Sequence, residues 1–162
     1  MWQKIVATAN SIPPAILRVV LGIVFFAHGA QKMLGWFGGN GFSATMGFFE
    51  SQMHIPALFA FLAICAEFFG GIGLILGFLG RIAAFGIAVN MLVAVLRVHA
   101  PNGLFMNWTG NQRGEGFEFH LLVLAMACAL MISGSGAWSI DRALTRGAIT
   151  APGPGSRPLR AA

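Results

Sequence analysis

The sequence predicts an all-α protein, an integral membrane four-helix bundle with a short interfacial helix in its first outer loop. Three observations lead there. Four apolar stretches, at about residues 14–34, 55–79, 81–98 and 118–137, are each long enough for a helix to cross about 30 Å of hydrocarbon. The 162 residues are 57% hydrophobic and 9% charged, whereas a soluble domain carries about 25% charged residues. Basic and tryptophan residues gather at the ends of the stretches, where they orient a membrane protein and mark its interfaces.

The elements follow in order. Residues 1–12 suit a short interfacial helix, and Pro13-Pro14 suits the first turn of the next one. The stretch 14–34 is too long for a signal-peptide core and ends in His28-Gly29-Ala30-Gln31-Lys32 without a cleavage pattern, so it reads as an uncleaved first span. In the first outer loop, Phe42, Met46, Phe49 and Met53 repeat at helical spacing with Ser43, Thr45 and Glu50 between them. That pattern predicts a short amphipathic helix on the outer surface, preceded by a turn at Gly38-Gly39-Asn40-Gly41. The link Gly77-Phe78-Leu79-Gly80-Arg81 is so short that the second and third spans must be antiparallel neighbours. Small residues on those spans, including Gly70, Gly71, Gly73, Gly77 and Gly86, allow close backbone approach. The loop 99–116 carries Leu104, Phe105, Met106 and Trp108 and is expected to lid the bundle. One transmembrane domain therefore fills residues 1–145, and 146–162 reads as a disordered basic cytoplasmic tail.

The net charge of +5 does not point to nucleic acid, because the basic residues flank the spans. Lys4, Arg81, Arg142, Arg146, Arg157 and Arg160 fall on one side, with Arg18 snorkelling toward it; Lys32, Arg97 and Arg113 fall on the other. By the positive-inside rule both termini are cytoplasmic and the protein sits in the cell (inner) membrane. Trp2 and Trp138 then mark the inner interface, Trp36 and Trp108 the outer one.

Ionisable groups inside a bilayer are costly and should converge within the bundle. His28, Gln31 and Lys32 share one face of the first span; Glu67 and Asn90 lie near mid-membrane on the second and third. Arg97 and His99 close the third span at the outer face, and Glu118 and His120 open the fourth there. The candidate ligand-binding or proton-exchange residues are thus His28, Lys32, Glu67, Asn90, Arg97, His99, Glu118 and His120. The competing account is that these groups only fix helix packing through interhelical hydrogen bonds. A bis-histidine haem could use His28 with His99 or His120, and a metal could use His28, Glu67, Glu118 and His120. Neither set has a supporting spacing signature, so neither haem nor metal is expected. Cys65 and Cys128 lie at mid-depth and read as small hydrophobes without a Cys-x-x-Cys motif.

Several segments in order carry a resemblance. They are Leu17-Arg18-Val19-Val20-Leu21-Gly22, His28-Gly29-Ala30-Gln31-Lys32, Gly35-Trp36-Phe37-Gly38-Gly39 and Ala66-Glu67-Phe68-Phe69-Gly70-Gly71, then Gly77-Phe78-Leu79-Gly80-Arg81, Gly114-Glu115-Gly116-Phe117-Glu118 and Gly134-Ser135-Gly136-Ala137-Trp138-Ser139-Ile140-Asp141. Over about residues 11–145 the chain resembles the DoxX family of small four-helix membrane proteins. That family takes its name from a membrane subunit of a terminal quinol oxidase, and relatives resemble components of thiosulfate:quinone oxidoreductase. The resemblance implies a subunit or accessory protein of a quinone-linked redox system, with a quinone as ligand and other membrane redox subunits as partners beside the lipid bilayer. It supplies no agreed catalytic residues. The rival function is a non-enzymatic scaffold or lipid-binding protein.

Overall fold

The computed structural model describes residues 2–149, and every regular element there is helical. The chain runs through α1 (Trp2–Val6), α2 (Ile12–Leu34), α3 (Gly41–Ser51), α4 (Ala57–Leu76), α5 (Gly80–Ala94), α6 (Glu118–Ser133) and α7 (Ile140–Ile149). Prolines occupy the first turn of α2, where a missing N–H costs nothing. Helix α4 ends at Gly77, whose φ of 66° lets its N–H turn back to the carbonyls of Gly73 and Leu74. Helix α7 extends through Ile149, into the segment read as tail; residues 150–162 lie outside the described residues.

Helix α2 lies along α4, α4 against α5 and α5 against α6, and α6 closes back on α2. Leu21, Phe25, Leu74, Ile87, Val123 and Leu130 form the core between them. Ile16, Val20, Phe59, Phe85 and Leu122 are each more than half exposed on the outside, as a lipid-facing belt requires. Helices α2, α4 and the run Gly80–Asn102 are long and apolar enough to cross a membrane. Helix α6 is apolar but shorter, at 16 residues. It nonetheless returns the chain to the starting pole, where the Thr145 hydroxyl on α7 donates to the Val6 carbonyl of α1 at 3.1 Å.

The α2–α4 contact is close because it is made by backbone. A Cβ on Gly29 would collide with the backbone of Phe68, and one on Gly71 would lie 2.5 Å from the Phe26 nitrogen. Helices α4 and α6 occupy opposite corners, so Cys65 and Cys128 belong to helices that do not pack together, and both thiols are free.

The pole that joins α1, α7 and the α4–α5 turn is held by charged side chains. Arg18, expected to snorkel, is instead 2% exposed. Its Nε donates to the Ser135 carbonyl at 2.8 Å, Nη1 to Leu74 and Ile75 at 2.9 and 2.6 Å, and Nη2 to Ala137 and Trp138 at 3.1 and 2.8 Å. The guanidinium thus bonds carbonyls in the last turn of α4 and in the loop after α6, adding a second donor to Leu74 beside the Gly77 N–H. Asp141 accepts from the backbone N–H of Leu79 and Gly80 at 2.8 and 3.0 Å, at the start of α5. It also accepts from the Ser135 hydroxyl at 2.5 Å. Arg81 donates to Met131 at the end of α6 and to Ile5 at the end of α1. Lipid could satisfy none of these backbone groups, so the bundle seals its own end.

Candidate functional site

At the opposite pole a cavity of about 300 Å³ opens among α2, α4, α5 and α6. Phe25, Met91 and Phe119 give it apolar walls, and His28, Lys32, Glu67, Asn90, His99 and His120 supply the polar ones. Six of the eight candidate residues therefore line one space.

Each reaches it by helical register. His28 and Lys32 lie one turn apart on α2, and Glu67 projects from the neighbouring α4. The Lys32 ammonium donates to Glu67 Oε2 at 2.5 Å, with the two side chains 26% and 9% exposed. Asn90 Nδ2 on α5 donates to the Ala63 carbonyl at 2.8 Å and lies 3.5 Å from Glu67 Oε1. One polar layer thus connects α2, α4 and α5.

The histidines form a second group. The rings of His99 and His120 have centroids 4.1 Å apart, tilted by 41°. His99 Nδ1 lies 2.8 Å from the Glu115 carbonyl, which can only accept, so that nitrogen carries the proton. His120 is 6% exposed, and its Nδ1 is buried without a hydrogen-bond partner. A buried ring nitrogen of this kind costs free energy until something pairs with it. The arrangement offers hydrogen-bond donors and acceptors to a small headgroup and a carboxylate–ammonium pair able to pass a proton, within largely apolar walls.

Arg97 and Glu118 are not brought into this space. Arg97 Nη2 donates to the Met53 carbonyl at 2.9 Å, which holds the chain just after α3. Glu118 Oε1 accepts from the Met106 N–H at 2.8 Å and from the Trp108 indole N–H at 3.1 Å, pinning the 103–116 loop. Backbone geometry separates Arg97 from the cavity. An uninterrupted α-helix would keep Arg97, seven residues after Asn90, on the same face. Residues Val95–His99 instead form a π turn, with the Ala100 N–H bonding back to Val95. The underwinding swings Arg97 away and brings His99 round. Pro101 supplies the readable signal: its ring would clash with the Arg97 carbonyl in a continued α-helix.

The cover also differs from expectation. Leu104, Phe105 and Trp108 do not line the cavity, and Trp108 is 84% exposed. Phe49 of α3, with Met53 and Ile55 just after that helix, closes it instead. Amphipathic α3 is thus a roof over the site, consistent with the spacing of Phe49 and Met53.

Comparison with known proteins agrees with this architecture. The sequence pattern of the DoxX family matches residues 14–100. A Bacillus subtilis protein named "Putative oxidoreductase CatD" is 30% identical over 82% of this chain and 87% of its own length. "Inner membrane protein YqjF" of Escherichia coli is 28% identical over 81% and 91% of the two chains. "Uncharacterized membrane protein Rv3486" of Mycobacterium tuberculosis is 32% identical over 90% and 89%. No solved structure matches the chain. A helical membrane bundle, a family pattern covering more than half its length and relatives matched nearly end to end establish that this protein belongs to the DoxX family.

Proposed function

We propose that this protein binds a small molecule with a quinone-like headgroup in the roofed cavity, as a subunit or accessory protein of a quinone-linked membrane redox system. The observation that carries the reading is His120, which leaves a buried ring nitrogen unpaired and lines the same cavity as the Lys32–Glu67 pair. A quinone oxygen would pair with that nitrogen when it bears the proton, and a quinol hydroxyl when it does not. The B. subtilis relative's name as an oxidoreductase supports the redox part of the reading. Short-chain quinone analogues are expected to raise the thermal unfolding temperature of the purified protein, and His120→Ala to lower their affinity about tenfold. An equal response from wild type and His120→Ala would remove the histidine from the site. No response from either would favour the scaffold reading, which the tie among α2, α4 and α5 also supports.

Both termini are assigned to the cytoplasmic side of the cell membrane. The support is the concentration of Arg81 and Arg142 at the pole where α1 and α7 meet, under the positive-inside rule. Single cysteines at Gln3 and Asn111, in a Cys65→Ala/Cys128→Ala background, check it in intact cells. An impermeant thiol reagent should label position 111 and spare position 3; the reverse pattern would invert the topology.

A further inference from the structure

At the pole sealed by Arg18 a second polar hollow, of about 320 Å³, opens at the surface between Asn10, Trp138, Ser139, Arg142 and Ala143. Its walls are held in place. The Ala137 N–H donates to the Ser11 carbonyl at 2.8 Å and the Gly136 N–H to the Thr8 hydroxyl at 2.7 Å, which ties the α1–α2 link to the loop after α6. Arg18 holds the Trp138 carbonyl at 2.8 Å. Trp138 takes a φ of 51°, a left-handed conformation that costs a bulky residue free energy, yet its side chain is 77% exposed. The hollow is rich in donors. The Arg142 guanidinium is half-buried, and neither it, the Asn10 amide nor the Trp138 indole N–H has a hydrogen-bond partner among the described residues. No carboxylate lines the space, because Asp141 is 1% exposed and turned toward Leu79, Gly80 and Ser135. The first turn of α7 is not itself the recognition element. Its Asp141, Arg142 and Ala143 N–H groups already bond the Gly77 carbonyl, the Ser139 hydroxyl and the Ser139 carbonyl.

We propose that this hollow binds a phosphate-type anion, carried by the headgroup of an anionic phospholipid or free in solution at that face. A guanidinium, an amide and an indole N–H that border one hollow from two segments of chain suit an oxyanion with several acceptor oxygens. Arg142 supplies the charge, and its planar fork matches a phosphate. The loop and link are fixed before anything binds, so little ordering opposes the contact. A net-anionic group is selected over a zwitterionic one, because no acid lines the hollow to receive a choline ammonium beside Arg142. The simpler account is that Arg142 is one cation among several that attract the membrane diffusely. That account makes basic residues interchangeable and gives Asn10 no part. The proposal is independent of the cavity at the other pole and holds for either orientation of the chain.

The test uses detergent-purified full-length protein. Phosphatidylglycerol and phosphatidylcholine are titrated and bound lipid is counted by native mass spectrometry; inorganic phosphate is titrated and read by the unfolding temperature. Three variants accompany wild type. Arg142→Gln removes the charge, and Asn10→Ala removes one amide from an exposed position without disturbing the fold. Arg113→Gln removes the same charge from an exposed position in the loop at the other pole. Phosphatidylglycerol should bind wild type and Arg113→Gln alike, about tenfold more weakly to Arg142→Gln, and more weakly by a smaller factor to Asn10→Ala. Phosphatidylglycerol binding with no phosphate response would assign the hollow to lipid. A phosphate-induced rise in unfolding temperature in wild type, lost in Arg142→Gln, would assign it to a soluble anion. Three results would overturn the proposal. One is phosphatidylcholine binding as tightly as phosphatidylglycerol with no phosphate response. Another is a response that Arg113→Gln weakens as much as Arg142→Gln does. The last is a response that Arg142→Gln and Asn10→Ala both leave at the wild-type level. If Arg142→Gln fails to fold, Asn10→Ala against Arg113→Gln decides alone.

Discussion

Arg18→Ala is expected to destabilise the bundle by about 3–5 kcal/mol, the largest effect of any single substitution considered. Five backbone carbonyls lose a charged donor at once, and the end of α4 and the 134–138 loop lose the α2 side chain that joins them. The carbonyls cannot turn to water or to lipid without opening the end of α4 and the 134–138 loop. Arg18→Lys should recover only a minor part, because an ammonium has three donors and lacks the planar fork that reaches five acceptors. Thermal or denaturant unfolding in mild detergent, followed by helical circular dichroism, gives the measurement. Loss of less than about 1 kcal/mol in Arg18→Ala would mean that the guanidinium merely occupies the pole without holding it. The effect should not depend on quinone analogues, since the opposite pole holds the cavity.

The contrast between the two poles explains what could be read from the sequence. Helical spans follow from length and apolarity, and the α4–α5 turn follows from its shortness. Six cavity residues could be named because polar and ionisable groups inside apolar helices have few other places to go. Arg18 obeys the same rule, yet its partners lie up to 120 residues away and are carbonyls, which carry no residue-type signal. Nothing in local periodicity could separate it from a snorkelling arginine. The resemblance segments did contain its surroundings. Leu17–Gly22, Gly77–Arg81 and Gly134–Asp141 are remote in sequence and meet in one knot. Arg97 and Glu118 were misplaced for a different reason. Depth along a helix can be counted, but facing direction changes when a π turn intervenes, and Glu118 serves a loop whose path periodicity does not encode.

Glu67→Leu should cost about 2–3 kcal/mol, less than a fully enclosed ion pair would, because the Lys32 side chain keeps 26% exposure and can turn toward the interface. Lys32→Met should cost more, since it strands the more enclosed partner, Glu67, which is left with Asn90 at 3.5 Å. The double variant Lys32→Met/Glu67→Leu should recover to within about 1 kcal/mol of wild type, because apolar residues of similar size remove both desolvation penalties together. Unfolding in detergent completes this cycle, and a double variant that simply sums the two losses would show that the pair is not coupled. The same four proteins then separate structure from function. A pair that only fixes helix order leaves a stable double variant unchanged in its response to quinone analogues. A pair that serves the cavity gives a stable double variant whose analogue response is lost, because the cavity has lost its charged pair while the helices still hold their places. Stability alone cannot distinguish these cases, since both accounts require the single variants to be weak. The recovered double variant is therefore the protein in which the role of the polar layer can be read.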